Sequence, residues 1–242
     1  MRVTTMLAAG VAIGALGAGC GGSAEQAALP QGSEVVQLDP ANFTTDIDNP
    51  YWPMAPGARW VYRETDSEGN AQRIVVTVTD QTRELMSVQT RVVHDLATKD
   101  GSPVEDTYDY YAQDADGNLW YFGEDTKELE NGKVISTAGS WQAGVDAAQP
   151  GIALPGAPEV GMTYRQEYHA GDAEDSAAVL SVDEKTESPQ GSYQGVLMTK
   201  DFTPLEPDAL EYKFYAKGVG PIVALGVSGG IAREELVSFT AR

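Results

Sequence analysis

Apolar and polar residues alternate along most of the chain after Asn42, a period of two that sends successive side chains to opposite faces of a β-strand. Trp60-Val61-Tyr62-Arg63 leads into the turn-forming run Asp66-Ser67-Glu68-Gly69-Asn70, and Ile74, Val76 and Val78 return on one face, which predicts a hairpin. A long strand is expected over residues 85–96, turned by Lys99-Asp100-Gly101-Ser102-Pro103. Residues 107–113 then run back to Asp114-Ala115-Asp116-Gly117-Asn118, and a strand over 119–123 follows. The same pattern predicts strands over 163–169, 177–185, 193–202, 210–216, 221–225 and 231–239. No convincing amphipathic helix interrupts them. The expected fold is all-β, with about ten antiparallel strands in a meander. A wide twisted sheet must cover one face, so a strongly curved sheet, half-barrel or barrel is expected.

One segment departs from the meander. Residues 138–161 (AGSWQAGVDAAQPGIALPGAPEVG) form a long Gly- and Pro-rich loop. Trp141, Ile152 and Leu154 suit the underside of a lid over the concave face, and they equally suit a packed, sheet-closing crossover.

The first residues carry a different signal. Residues 1–19 hold one cation, Arg2, and then the apolar run 6–18, too short to cross a bilayer comfortably, as in a signal peptide. The following Leu16-Gly17-Ala18-Gly19-Cys20 resembles the lipobox of bacterial lipoproteins, although Leu16 stands one place further from the cysteine than in the usual pattern. The resemblance implies diacylation of Cys20 and anchoring to the outer face of the cell membrane; secretion without an anchor is the alternative. Cys20 is the only cysteine, so its lipidation leaves the mature chain without disulfide or thiol chemistry. The expected organisation is a leader over 1–19, a lipidated cysteine and flexible tether over 20–41, and one β-rich domain over 42–242.

Charge narrows the partners. Sixteen Lys and Arg stand against 36 Asp and Glu, a net charge of −20. Such a surface repels phosphate backbones and anionic headgroups, which argues against nucleic acid and leaves membrane attachment to the lipid. Cations are the natural small partners, and plain solubility is the simpler use of the same charge.

Candidate chemistry is sparse. Gly226-Val227-Ser228-Gly229-Gly230 spells G-x-S-x-G, but a strand-like segment follows it and both histidines precede it, so it reads as a hairpin turn. Asp114-Ala115-Asp116-Gly117-Asn118 hints at a calcium loop, yet with Gly117 in the sixth position Ala112 and Gly123 take the first and twelfth places and offer no side-chain oxygen. A two-residue turn at Asp116-Gly117 would pair Gln113 with Trp120, Tyr111 with Phe122 and Asp109 with Glu124 on one face. Tyr111, Trp120 and Phe122, with Trp141 from the loop, are the candidate ligand-binding aromatics. Asp109 and Glu124 are candidate ligands for a hard cation. Glu167 and His169, two residues apart on one strand, form a second candidate metal or acid–base pair. His94 shares a face with Met86, Val88 and Val92 and reads as a histidine at a core edge.

Three motifs carry a resemblance over most of the mature chain. They are Asp48-Asn49-Pro50-Tyr51-Trp52-Pro53 with Pro56-Gly57; Tyr111-Ala112-Gln113-Asp114 with Gly117-Asn118-Leu119-Trp120-Tyr121-Phe122-Gly123-Glu124-Asp125; and Gly139-Ser140-Trp141 with Ala143-Gly144-Val145 and Pro150-Gly151. The chain resembles a family of uncharacterised bacterial exported lipoproteins, many of them actinobacterial. The resemblance implies export, and it brings no activity, cofactor or site residues. Residues 211–220 (EYKFYAKGVG) also look like the closing hairpins of envelope β-proteins such as the periplasmic lipoprotein carriers, a likeness of fold alone. The expected function is a non-enzymatic binding module for an apolar or amphipathic ligand. A divalent-cation-binding envelope protein and a protein-interaction or structural envelope protein are the alternatives. No nucleophile, base and orienting group can be assembled into an enzyme site.

Overall fold

The computed structural model describes residues 28–230 and 232–241; the leader and Cys20 lie outside the described residues. The strands are β1 Phe43–Thr44, β2 Arg59–Asp66, β3 Ala71–Leu85, β4 Val88–Lys99, β5 Ser102–Asp114, β6 Leu119–Glu130, β7 Lys133–Ser136 and β8 Trp141–Gln142. They continue with β9 Gln149–Leu154, β10 Thr163–Arg165, β11 Glu167–Tyr168, β12 Ser176–Ser188, β13 Gly191–Phe202, β14 Leu210–Ala216, β15 Gly220–Ser228 and β16 Ala232–Thr240. The all-β expectation holds. Among the described residues no helix is long and apolar enough to cross a membrane.

Hydrogen-bonded neighbours run β10-β12-β13-β14-β15-β16-β2-β3-β4-β5-β6-β9-β11. The two ends of this path, β10 and β11, are separated in the chain only by Gln166. One short segment therefore pairs with β12 on one side and β9 on the other, and the antiparallel sheet curls into a nearly closed barrel. The strand expected over 163–169 is accordingly broken in two, because the chain changes partner at the seam. Gly151 on β9 makes that crossing possible: a Cβ there would lie 2.3 Å from the carbonyl oxygen of Gln166, so only glycine lets the two backbones approach.

Three other expectations are corrected. The single strand over 85–96 is the end of β3 and most of β4, joined by a tight turn in which Met86 and Ser87 both adopt left-handed φ, 49° and 66°. Glycine or asparagine usually marks such a turn, and neither is present. Of the two expected readings of residues 138–161 the structure has the packed crossover: β8 and β9 both pair with β6, with Trp141 buried and Ile152 and Leu154 sealed from solvent. Part of the expected tether also lies on the barrel. Arg165, buried on β10, donates from Nη1 to the carbonyls of Gly32 and Glu34 at 2.7 and 2.8 Å, and its backbone N–H donates to the Pro30 carbonyl at 2.8 Å.

The third correction concerns register at Asp114–Asn118. The Asp114 N–H bonds the Asn118 carbonyl, and Asp114 Oδ1 accepts the N–H groups of Asp116 and Asn118, which makes a three-residue loop with Gly117 left-handed. Asp66–Asn70 closes in the same way, with Asp66 Oδ1 accepting Glu68 and Asn70 N–H groups. The longer loop shifts the pairing by one, to Gln113 with Leu119, Ala112 with Trp120 and Tyr111 with Tyr121. A bulge between Tyr111 and Asp109 then restores the expected Asp109–Glu124 pair.

Two cores result. One fills the barrel, with Trp60, Tyr164, Leu197, Tyr215, Ile222 and Leu236 essentially inaccessible. The other lies outside it, where Val88, Val92, Tyr110 and Phe122 are covered by Phe43, Trp141 and Ala143. Asn49, wholly buried, fixes the segment that covers one end of the barrel. Its Oδ1 accepts the N–H groups of Tyr51 and Trp52, and its Nδ2 donates to the carbonyls of Gly117 and Pro155 at 2.9 and 3.2 Å. The motifs around residues 48–53 and 117–118 thus meet, and they meet for structural reasons.

Candidate functional site

Alternation sends every second residue of each strand into the barrel, and above the apolar layer several of those inward positions are charged. Asp95 lies between Val93 and Ala97 on β4, Glu234 precedes Leu236 by two on β16, and Lys213 precedes Tyr215 by two on β14. With Glu124, Glu167 and Asp175 they surround a cavity of about 300 Å³. Its aromatic walls are Trp52, Tyr62, Tyr111, Tyr121 and Tyr215. The ring of Tyr121 stacks on Tyr111 with centroids 5.0 Å apart, and Trp52 packs against both Tyr111 and Tyr215 at 5.8 and 5.9 Å. Past Asp175 and Lys213 the cavity continues into a second depression beside Asp201, Glu206, Glu211 and the Gly229-Gly230 turn.

Five carboxylates and a single cation line this space among the described residues. The cation is already engaged: Lys213 Nζ lies 2.9 Å from Asp201 Oδ2 and 3.1 Å from Glu211 Oε2. Burial works against its charge, but those two carboxylates outweigh it and hold the ammonium well above its ordinary pKa. The remaining acids are short of countercharge. Burial, reinforced by Glu105, raises Asp95 to about 6. Burial and Asp95 raise Asp109 to about 7 against the opposing hydrogen bond from the Tyr121 hydroxyl. Burial, with Asp109 and Glu167, raises Glu124 to about 8. Burial, with Asp95 and Glu64, raises Glu234 to about 8. Glu167 and Asp175 are both pushed up, first by burial, and Trp141 Nε1 opposes this at Glu167 by donating to Oε2 at 2.7 Å.

The expected site residues divide accordingly. Tyr111 lines the cavity, and Asp109, Glu124 and Glu167 gather on one side of it. Trp120 and Phe122 do not share that face. The one-residue shift at the turn moves them to the outer side, where Phe43 packs edge-on against both rings at 5.8 Å and Trp120 Nε1 bonds Asp114 Oδ2. Trp141 also belongs to the outer core and meets the cavity wall through its bond to Glu167 and its edge-on contact with Tyr121. His169 is not paired with Glu167 across a strand face. The strand ends at Tyr168, His169 enters a tight turn with Ala173, and its Nδ1 lies 3.4 Å from Asp172 Oδ2. His94 sits on the outer side of β4, bonded to Asp106 at 2.7 Å and stacked on Tyr108. The Asp114 carboxylate, first in the calcium-like run, is taken up by its own loop and Trp120. Gly226–Gly230 ends β15 and begins the turn to β16.

Asp95, Asp175, Lys213 and Glu234 were not expected. The available signal was a charged residue at an inward, otherwise apolar position of a strand. Among the described residues no three His, Cys, Asp or Glu side chains converge as a metal-binding group.

No family model matches the chain, and no curated protein sequence does. Two solved structures are similar. One is a Bacteroides fragilis protein described as exported and as having a YmcC-like fold, 14% identical, with 79% of this chain and 99% of that one aligned at a TM-score of 0.47. The other is a Parabacteroides distasonis protein described as a lipoprotein, 12% identical, with 78% and 98% aligned at a TM-score of 0.42.

Proposed function

We propose that this chain is an exported, lipid-anchored binding protein whose barrel interior takes a small cationic ligand. The observation that carries the ligand reading is the acidity of the lining: five carboxyl groups face about 300 Å³ of space, Glu124 and Glu234, buried without countercharge, keep their protons to about pH 8, and the one lysine there is held by Asp201 and Glu211. A cation entering this cavity supplies the countercharge that lets these acids release their protons, in surroundings that screen the pair less than water does. The volume is at the lower end of small-molecule sites. Tyrosine and tryptophan faces add cation–π attraction. The same lining disfavours the acyl chain that an apolar ligand would present, because burying these acids against hydrocarbon leaves them without partners.

The test is a thermal-shift and native mass spectrometry survey of the full mature chain in detergent against inorganic cations, organic ammonium ions and phospholipids. Stabilisation by a cation is expected. Stabilisation by phospholipid alone sinks the reading. Export and anchoring rest on the leader and Cys20, and metabolic labelling with a fatty acid, lost in Cys20→Ala, tests them.

A further inference from the structure

The cavity acids are not gathered at one point. Glu234 stands on β16 and feels Asp95 more than any other charge. Glu124 and Glu167 stand on β6 and β11, each feeling Asp109. Between β16 and β6 the path round the sheet is β2, β3, β4 and β5, and it is β15, β14, β13 and β12 between β16 and the β10–β11 seam. Glu234 and the Glu124–Glu167 pair are therefore on opposite walls. Tyrosine rings share the lining with them, among them the stacked Tyr111 and Tyr121.

This distribution fits poorly with a metal ion, which needs oxygens converging on one point. It suits two separated positive charges joined by an apolar body. The rest of the lining points the same way. Trp52, Tyr62, Tyr111, Tyr121 and Tyr215 give the cavity aromatic faces, which suit the methylenes and the ammonium groups of an organic cation.

We propose that the ligand is an organic dication of the linear diamine or polyamine class, with one ammonium group at Glu234 and another at Glu124 and Glu167, and its methylene chain along the tyrosines. This rests on the reading of the cavity as a cation site. Lys213 has no part in holding the ligand, since its charge is matched by Asp201 and Glu211.

Isothermal titration of the full mature chain in detergent, at low ionic strength, distinguishes a dication site from a site for any cation. The probes are α,ω-diamines of graded length, the n-alkylamine matching each, and magnesium and calcium chlorides. One diamine length is expected to bind about ten-fold or more tighter than its alkylamine. Glu234→Gln and Glu124→Gln are each expected to remove most of that advantage. Both are neutral isosteres, and near-ultraviolet circular dichroism checks that they fold. Equal binding of diamine and alkylamine overturns the dication while leaving the cation site standing. Binding of the metal ions alone overturns it also. Binding of none of these probes overturns both.

Discussion

Trp141 and Glu167 tie the two cores together: the indole N–H, packed in the outer core, donates to a carboxylate that lines the barrel cavity, at 2.7 Å. The bond favours the ionised form of Glu167 and opposes the upward push of burial. Trp141→Phe keeps most of the ring that packs edge-on against Tyr121 and removes the donor. It is expected to lower stability by about 1–2 kcal/mol, read by urea denaturation. It should also raise the pKa of Glu167 further, read by carboxyl carbon NMR titration. A lower pKa in the variant contradicts this role for the indole.

The cavity acids give the empty protein an uncommon pH dependence. Asp95, Asp109, Glu124 and Glu234 keep their protons to about pH 6, 7, 8 and 8 in the fold, whereas free carboxyls lose them near pH 4. Their contribution to stability is full below about pH 4, where both states are protonated. It is lost as pH rises through the folded values, because the unfolded chain has already ionised. The melting temperature of the ligand-free chain should therefore fall between about pH 5 and pH 8. Glu234→Gln and Glu124→Gln should flatten the slope. A melting temperature that climbs over that range would falsify this account.

Much of the fold was legible because alternation is a local property. Trp60 and Tyr62 on β2, or Ile74 and Val78 on β3, announce an inward face without reference to any partner strand. The misses have local causes too. Met86 and Ser87 turn without glycine, and Asp114–Asn118 closes as a three-residue loop, which sent Trp120 and Phe122 to the outer core. The bulge beside Asp109 then returned Asp109 and Glu124 to register. The site was less legible because it belongs to the closure. Asp95, Lys213 and Glu234 are far apart in the chain, and only the completed ring of strands brings them round one cavity. His169 does not share a strand face with Glu167 because the seam ends their strand at Tyr168.

Asn49 offers a test of the covered end of the barrel. It is wholly buried, and its side chain holds the N–H groups of Tyr51 and Trp52 and the carbonyls of Gly117 and Pro155. Asn49→Ala leaves those groups unpaired away from water and should destabilise the chain by about 2–4 kcal/mol. Asn49→Asp keeps the acceptor and loses the donor, so it should retain the Tyr51 and Trp52 bonds and fall between the two. Equilibrium denaturation of the three proteins checks the order. Because Trp52 also walls the cavity, cation binding should weaken in Asn49→Ala even where the chain remains folded.

Lys213 should separate stability from affinity. Its ammonium neutralises Asp201, whose side chain is 8% exposed, and also meets Glu211. Lys213→Met leaves Asp201 without its partner, but the lysine is a third exposed, so water compensates in part. The expected loss is about 2 kcal/mol, below the usual figure for breaking a fully buried pair. The same change removes the one positive charge that lines the cavity, and with it the repulsion that an entering cation meets. Cation affinity should therefore rise while the melting temperature of the empty protein falls. Titration calorimetry and thermal unfolding on the same preparation read both. If the lysine instead held an anionic part of the ligand, affinity and stability would fall together.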